Sequence, residues 1–126
     1  MYQVEVIHEK DYTFTVKSKN YQFTVDVKGD GVTPPDTLLA SLGSCIGVYV
    51  RKYADGAKLA IENFNITVTA EFSKEPPVCF REIKVHLDLK GAQLDERRRK
   101  ALLEFIKNCP VHHTLEANPA IEIEVI

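Results

Sequence analysis

The hydrophobic positions along the chain follow two periods, and the change from one to the other divides it into predicted elements. Strand-like alternation of apolar and polar residues covers four ranges: 2–28, 61–72, 79–90 and 120–126. The ranges 33–56 and 95–109 instead place apolar residues three and four apart, which predicts one apolar face on each of two helices. Residues 28–31, Lys-Gly-Asp-Gly, form the predicted break before the first helix.

These elements predict an α+β fold. We expect three antiparallel strands within residues 2–28, a long central helix, two strands joined by a proline-containing loop, a second helix and a last strand. The order βββ-α-ββ-α-β is typical of layers with a mostly antiparallel sheet. The 126 residues fit a single domain, 1–126.

The long helix over residues 33–56 carries a cysteine at an unusual place. Cys45 lies on its apolar face, and Gly43 and Gly47 flank it. A glycine inside a helix costs about 1 kcal/mol relative to alanine. The pair therefore indicates the close approach of another backbone or a ligand, or it only makes room for core packing.

The second helix ends at another cysteine. Asp95 is its predicted cap, and its apolar stripe runs to Cys109. Pro110 is predicted to end the helix, because the residue before a proline is pushed out of the α region. His112 and His113 then fall in a predicted short turn, as residues lining a site or simply lying at the surface.

Composition narrows the classes of function. The net charge is −2, so we expect no binding to nucleic acid or membrane, and the basic run 97–100 is predicted to be a solvated helix face. No apolar stretch is long enough to cross a bilayer, and residues 1–20 contain no signal-peptide pattern. Three cysteines without a secretory signal predict a cytoplasmic protein with reactive or buried thiols.

Cys45 and Cys109 can meet if the two apolar stripes pack in one core. A disulfide needs Cα atoms within about 7 Å, which contact between helices allows. Such a pair permits peroxide reduction, in which one thiol becomes a sulfenic acid, the second condenses with it, and an external dithiol reduces the disulfide. Two small apolar core residues are the simpler interpretation.

The residues around both cysteines resemble a known family. Residues 35–45, Pro-Asp-Thr-Leu-Leu-Ala-Ser-Leu-Gly-Ser-Cys, resemble the first-cysteine helix of the OsmC/Ohr family of osmotically inducible and organic hydroperoxide resistance proteins. Residues 108–113, Asn-Cys-Pro-Val-His-His, resemble its second-cysteine motif, and residues 75–91 resemble its middle hairpin. The resemblance covers essentially the whole chain.

The resemblance implies an OsmC-like fold around the central helix, in an intertwined homodimer with two active sites at the subunit interface. It also implies thiol-dependent reduction of organic or fatty-acid-type hydroperoxides, with Cys45 as the peroxidatic and Cys109 as the resolving cysteine. A partner helix close to Gly43 and Gly47 would fit such a dimer. The reductant would be a dithiol of the lipoyl or thioredoxin type, and no cofactor or metal is predicted.

The charged residues depart from the peroxidatic pattern. Peroxidatic members carry an N-terminal arginine that stabilises the thiolate, held by a glutamate, but no arginine precedes Arg51 here. Asp36, nine positions before Cys45, lies some 13 Å away along a straight helix and on the opposite face. We therefore expect Asp36 to cap the helix with Thr33 rather than to act in catalysis. Arg51, Arg81 or a basic residue of the partner chain could replace the missing arginine.

Two functions stay open at this point. The first is a thiol peroxidase. The second is a divergent small OsmC-like protein that senses redox state or binds a small molecule beside its thiols. Cys79 is predicted to be a strand residue without a role. Cys109, His112 and His113, with Cys45, could ligate zinc or copper, but zinc sites of this kind usually recruit a second paired motif, which the sequence lacks.

Overall fold

The computed structural model describes residues 1–29 and 31–126, so Asp30, in the predicted break at 28–31, lies outside the described residues. The strands and helices are β1 Glu5–Lys10, β2 Thr13–Ser18, β3 Tyr21–Asp26, α1 Pro34–Gly56, β4 Asn65–Phe72, β5 Phe80–Asp88, α2 Glu96–Ile106 and α3 Pro110–Ala117. The chain divides into two compact units, Met1–Ala40 and Ser41–Ile126, and each is described by itself.

The first unit contains an antiparallel sheet in the order β1-β2-β3. These are the three strands predicted within residues 2–28. Phe14 stands opposite Val25, and Val16 opposite Phe23, so apolar side chains of one face pair across the two strands. Val16 and Val25 are buried.

The start of α1 belongs to the same unit and carries the predicted cap. The Thr33 hydroxyl donates a hydrogen bond to the Asp36 carboxylate over 2.7 Å, and its oxygen accepts one from the Asp36 backbone N–H over 3.3 Å. This reciprocal pair satisfies a backbone donor that the first turn of a helix leaves without a partner. The predicted capping role of Asp36 is therefore confirmed.

In the second unit, β4 and β5 form an antiparallel pair, and β4 lies against α1 at the two helical glycines. A Cβ atom on Gly43 would lie 3.0 Å from Val68 Cγ2, and one on Gly47 would lie 3.5 Å from Ile66 Cδ1. The glycines thus make room for strand side chains of the same chain. The core-packing interpretation is confirmed, and the glycines do not require a partner helix to explain them.

One cluster of buried side chains joins α1 to α2 and to the turn that follows α2. Its members are Leu42, Ile46, Val50, Leu102, Ile106 and Cys109. The Phe105 ring of α2 lies 5.8 Å from the Tyr49 ring and 5.5 Å from the Tyr53 ring of α1, between ring centroids. The predicted packing of the two apolar stripes against each other is therefore confirmed.

The segment after α2 differs from the prediction. Asp95 caps α2 as expected, with its carboxylate accepting a hydrogen bond from the Arg98 N–H over 2.8 Å. The predicted short turn after Pro110, however, is the helix α3. The physical reason is that a proline that cannot continue one helix fits the first position of the next, where its missing N–H breaks no bond.

The predicted last strand over residues 120–126 is also wrong for this chain, because the segment has no regular secondary structure. Ile121 is 81% exposed and Ile123 is 87% exposed. A strand needs a hydrogen-bonded neighbour, and no strand in residues 1–29 and 31–126 pairs with this segment. Across the same residues, no helix is both long enough and apolar enough to cross a membrane.

Candidate functional site

Cys109 occupies the junction between α2 and α3 and is fully buried. It is the N-cap residue of α3, and its sulfur accepts a hydrogen bond from the His112 backbone N–H over 3.3 Å. The sulfur thus takes the place of the serine or aspartate oxygen that usually caps a helix. Because Pro110 starts α3 directly after Cys109, the thiol is fixed in the bend between the two helices.

The environment of Cys109 raises the pKa of its thiol above the ordinary value of 9.0. Burial is the largest cause, since a thiolate loses its water in this cluster. The neighbouring Cys45 thiol adds to the rise. The backbone N–H groups of His112 and Val111 act in the opposite direction but do not outweigh the rise. Cys109 is therefore a neutral thiol near pH 7.

Cys45 is half-buried on α1 and packs against the same cluster. The cluster that Cys45 packs against includes Cys109 itself. Both cysteines are free thiols here. The structure thus brings together the two residues on which the sequence-based hypothesis depends, and their catalytic roles stay predictions.

Arg51, the proposed replacement for the missing arginine, is engaged elsewhere. Its guanidinium contacts the Asp55 carboxylate and donates a hydrogen bond to the Ile61 carbonyl oxygen. No hydrogen bond or ion pair links Arg51 to either thiol in the part of the second unit that the structure describes. Asp36, the other weaker candidate, is occupied by its cap with Thr33.

An open cleft of about 790 Å³ lies beside the cysteine cluster, between α1, β5, α2 and α3. Leu42 and Ile46, which belong to the cluster around Cys109, also line this cleft. Arg81, Arg99 and Lys107 line it as well. A cleft with many apolar walls and a few convergent charges suits a ligand with an apolar body.

His112 lines the cleft, which is one of the two positions expected for it from the sequence, but the contacts of its ring were not predicted. Its ring lines the cleft, its Nδ1–H donates to the Lys107 carbonyl oxygen over 3.1 Å, and its Nε2 lies 3.1 Å from Glu116 Oε1. On a helix, residues four apart are neighbours, so the spacing of His112 and Glu116 could have predicted their contact. The sequence analysis predicted a turn here, and in a turn that spacing does not predict a contact.

The remaining candidates lie outside the cluster. Cys79 closes the β4–β5 hairpin, where its backbone N–H donates to Ser73 Oγ over 3.2 Å and its carbonyl accepts from the Ser73 N–H over 2.8 Å. A group of three or more potential metal ligands does not occur in residues 1–29 and 31–126.

Comparison with protein families gives a match to OsmC-like proteins over residues 27–124. No curated protein matches the chain. Among solved structures, an OsmC-like protein from Mycoplasma pneumoniae is similar to it, with a TM-score of 0.80 and 25% identity over 92% of this chain and 87% of the other.

Two further structures share the fold at lower identity. An organic hydroperoxide resistance protein OsmC from Legionella pneumophila has a TM-score of 0.65 and 17% identity over 94% of this chain and 92% of its own. An organic hydroperoxide resistance protein from Elizabethkingia anophelis has a TM-score of 0.65 and 18% identity over 94% of this chain and 91% of its own.

Proposed function

This chain belongs to the OsmC-like family, and from that premise we propose that it is a thiol-dependent peroxidase that reduces organic hydroperoxides. The observation that carries the proposal is the meeting of Cys45 and Cys109 at one buried cluster. The fold shared with two organic hydroperoxide resistance proteins supports the same reaction class.

Cys45 performs the first step. Its thiolate attacks one peroxide oxygen, the O–O bond breaks, and the other oxygen leaves as an alcohol after taking up a proton. Cys45 is then a sulfenic acid. The half-buried position of Cys45 supports this assignment, because fully buried Cys109 is less accessible to a peroxide.

Cys109 performs the second step. Its sulfur attacks the sulfenic sulfur of Cys45, the S–S bond forms, and the hydroxyl leaves with the Cys109 proton as water. The raised pKa of the Cys109 thiol supports this order, since a neutral thiol does not compete for the peroxide. An external dithiol of the lipoyl or thioredoxin type then reduces the disulfide by two exchange steps.

The cleft supports an apolar substrate. Its aliphatic walls lie next to the cysteine cluster and fit an alkyl or aryl hydroperoxide better than hydrogen peroxide. We place the reaction in the cytoplasm, because that compartment keeps thiols such as these three reduced.

The working unit of this proposal is an intertwined homodimer. The family resemblance implies it, and the exposed apolar side chains of Ile121, Ile123 and Val125 support it. Apolar patches of this kind on a protein surface mark interaction sites. A second copy of the chain is the partner that would cover them.

The test is consumption of cumene hydroperoxide with dihydrolipoamide as the dithiol. We expect Cys45→Ser to lose turnover by at least about a hundredfold, as for other residues that supply the reacting group. Cys109→Ser should complete one turnover and then accumulate sulfinic acid on Cys45, whereas the matched control Cys79→Ser should behave as wild type. Equal inertness of all four proteins would refute the peroxidase proposal.

The alternative is a redox sensor or a small-molecule-binding protein on the same fold. It is favoured by the engagement of Arg51 with Asp55, which leaves Cys45 without that activating cation. In this case the thiols would oxidise slowly, and the cleft would bind its ligand without consuming it. Saturable binding of an apolar carboxylate that neither cysteine variant alters would support the alternative.

A further inference from the structure

One side chain at the junction of α2 and α3 has no part in the proposed reaction steps. We propose that His112 is a positioning residue, which ties the end of α2 to α3 and so keeps the Cys109 sulfur against Cys45 while their disulfide forms. The inference rests on the proposed function for its biological purpose. Its physical content, the ease of closing the disulfide, is measurable without any peroxide.

His112 makes three contacts that converge on this junction. Its Nδ1–H donates to the carbonyl oxygen of Lys107, the C-cap residue of α2, over 3.1 Å. Its Nε2 lies 3.1 Å from Glu116 Oε1, one turn further along α3. Its backbone N–H donates to Cys109 Sγ over 3.3 Å. One residue thus joins the helix before the thiol, the helix after it and the sulfur itself.

The charged side chains near the junction do not replace the contacts that His112 makes. The Lys107 ammonium is paired with Glu104 over 3.2 Å, so only the Lys107 carbonyl serves the ring. The other titratable and charged groups around the ring are Glu116 and His113 on α3, with Arg81 of β5 and Arg99 of α2 lining the same cleft. Nδ1 faces a carbonyl and Nε2 a carboxylate, so both nitrogens of the ring face acceptors.

Positioning matters because disulfide closure tolerates little misplacement. The S–S bond is about 2.05 Å long with a restricted dihedral angle, so the sulfurs must approach along a narrow path. Cys109 is the N-cap of a helix of only eight residues. If the junction loosens, the sulfur samples more positions and the condensation with the Cys45 sulfenic acid slows.

The experiment measures the equilibrium between protein dithiol plus glutathione disulfide and protein disulfide plus two glutathione molecules, in a Cys79→Ser background. We expect His112→Ala to lower the equilibrium constant by about tenfold, because a released thiol has a lower effective concentration. Tenfold corresponds to a reduction potential about 30 mV less negative. His113→Ala is the matched control and should leave the potential unchanged, since its side chain is exposed.

Two further variants keep the test decisive. Glu116→Ala removes the contact with His112 Nε2 from the other side and should shift the potential in the same direction, so it also tests the inference if His112→Ala fails to fold. Leu115→Ala loosens α3 without touching the junction bonds and should leave the potential unchanged. An unchanged or more negative potential in both His112→Ala and Glu116→Ala, or the same shift in Leu115→Ala, overturns the inference.

The same preparations separate this inference from the peroxidase proposal. If wild type closes its disulfide in glutathione buffers and His112→Ala shifts the potential, the positioning role holds even when cumene hydroperoxide is not consumed. If the hydroperoxide is consumed but the potential does not respond to His112 and Glu116, the peroxidase stands and the positioning role is wrong.

Discussion

The cluster around Cys109 and the segment 118–126 belong to the same unit and are both rich in aliphatic side chains, yet their burial is opposite. Leu102 in the cluster is 3% exposed, whereas Ile123 in the segment is 87% exposed. The difference lies in what covers them, because α1, α2 and β5 surround the cluster and no element of the described chain covers the segment. An apolar pattern thus predicts a face to be buried, but not the partner that buries it.

The two regions also serve the proposed function in different ways. The covered cluster creates the dry environment that keeps Cys109 a neutral thiol. The uncovered segment supplies an apolar surface that a second copy could bury. Substitutions in the cluster should therefore act on the stability of one subunit, and substitutions in the segment on the association of two.

The largest expected effect is on the stability of the cluster. Leu102→Ala should lower the free energy of unfolding by about 2–5 kcal/mol, because it leaves a cavity next to Cys109. The matched control on the same helix is Leu103→Ala, whose side chain is 52% exposed and should cost less than about 1 kcal/mol. Urea unfolding in reducing buffer measures both. Equal losses would mean that the cluster is not the core of this unit.

Much of this comparison follows from the sequence. The apolar stripes that contain Cys45 and Cys109 predicted two helices and their packing, because a period of 3.6 residues fixes which side chains share a face. The caps at Asp36 and Asp95 were predicted from residue type and spacing alone, since a cap is a local interaction.

What the sequence did not predict depends on contacts beyond the local chain. The helix α3 was missed because eight residues after a proline carry little periodicity. The strand over 120–126 was predicted from alternation alone, which says nothing of a pairing partner. The contact of His112 with Glu116 could not be predicted without α3, because i,i+4 residues are neighbours only on a helix.

The second prediction tests whether a second copy of the chain buries the segment 118–126. Ile123→Asp should weaken self-association by at least about tenfold, or 1.4 kcal/mol, because it places a charge on the apolar surface that the proposed dimer buries. Glu124→Gln, on the neighbouring exposed position, is the matched control and should leave association unchanged. Sedimentation at several protein concentrations gives the dissociation constant of the dimer for both variants. If the wild-type protein is a monomer, the segment is not a dimer interface and the prediction is wrong.

The third prediction concerns the α1–β4 contact, where two glycines one turn apart should respond in opposite directions. Gly43→Ala should destabilise by about 1 kcal/mol, because its Cβ would meet the stiff Val68 side chain at 3.0 Å. Gly47→Ala should stabilise by up to about 1 kcal/mol, since its Cβ has ordinary contacts and alanine favours the helix. Thermal unfolding distinguishes them, and a shared sign would contradict the packing described for β4.

The last prediction uses pH to test how dry the cluster is. The pKa of the Cys109 thiol is raised in the folded protein, so above the ordinary thiol pKa the unfolded chain releases a proton that the folded chain still holds. The free energy of unfolding must then fall as pH rises, and the stability tied to the neutral thiol is lost as pH passes the folded pKa. Cys109→Ser lacks this group and should fall less steeply between about pH 8 and pH 10. Urea unfolding of both proteins under reducing conditions gives the two slopes, and subtracting them removes the common titration of lysines and tyrosines. Parallel slopes would mean that water reaches the Cys109 sulfur. The cluster would then not differ from the segment 118–126 in its exclusion of water.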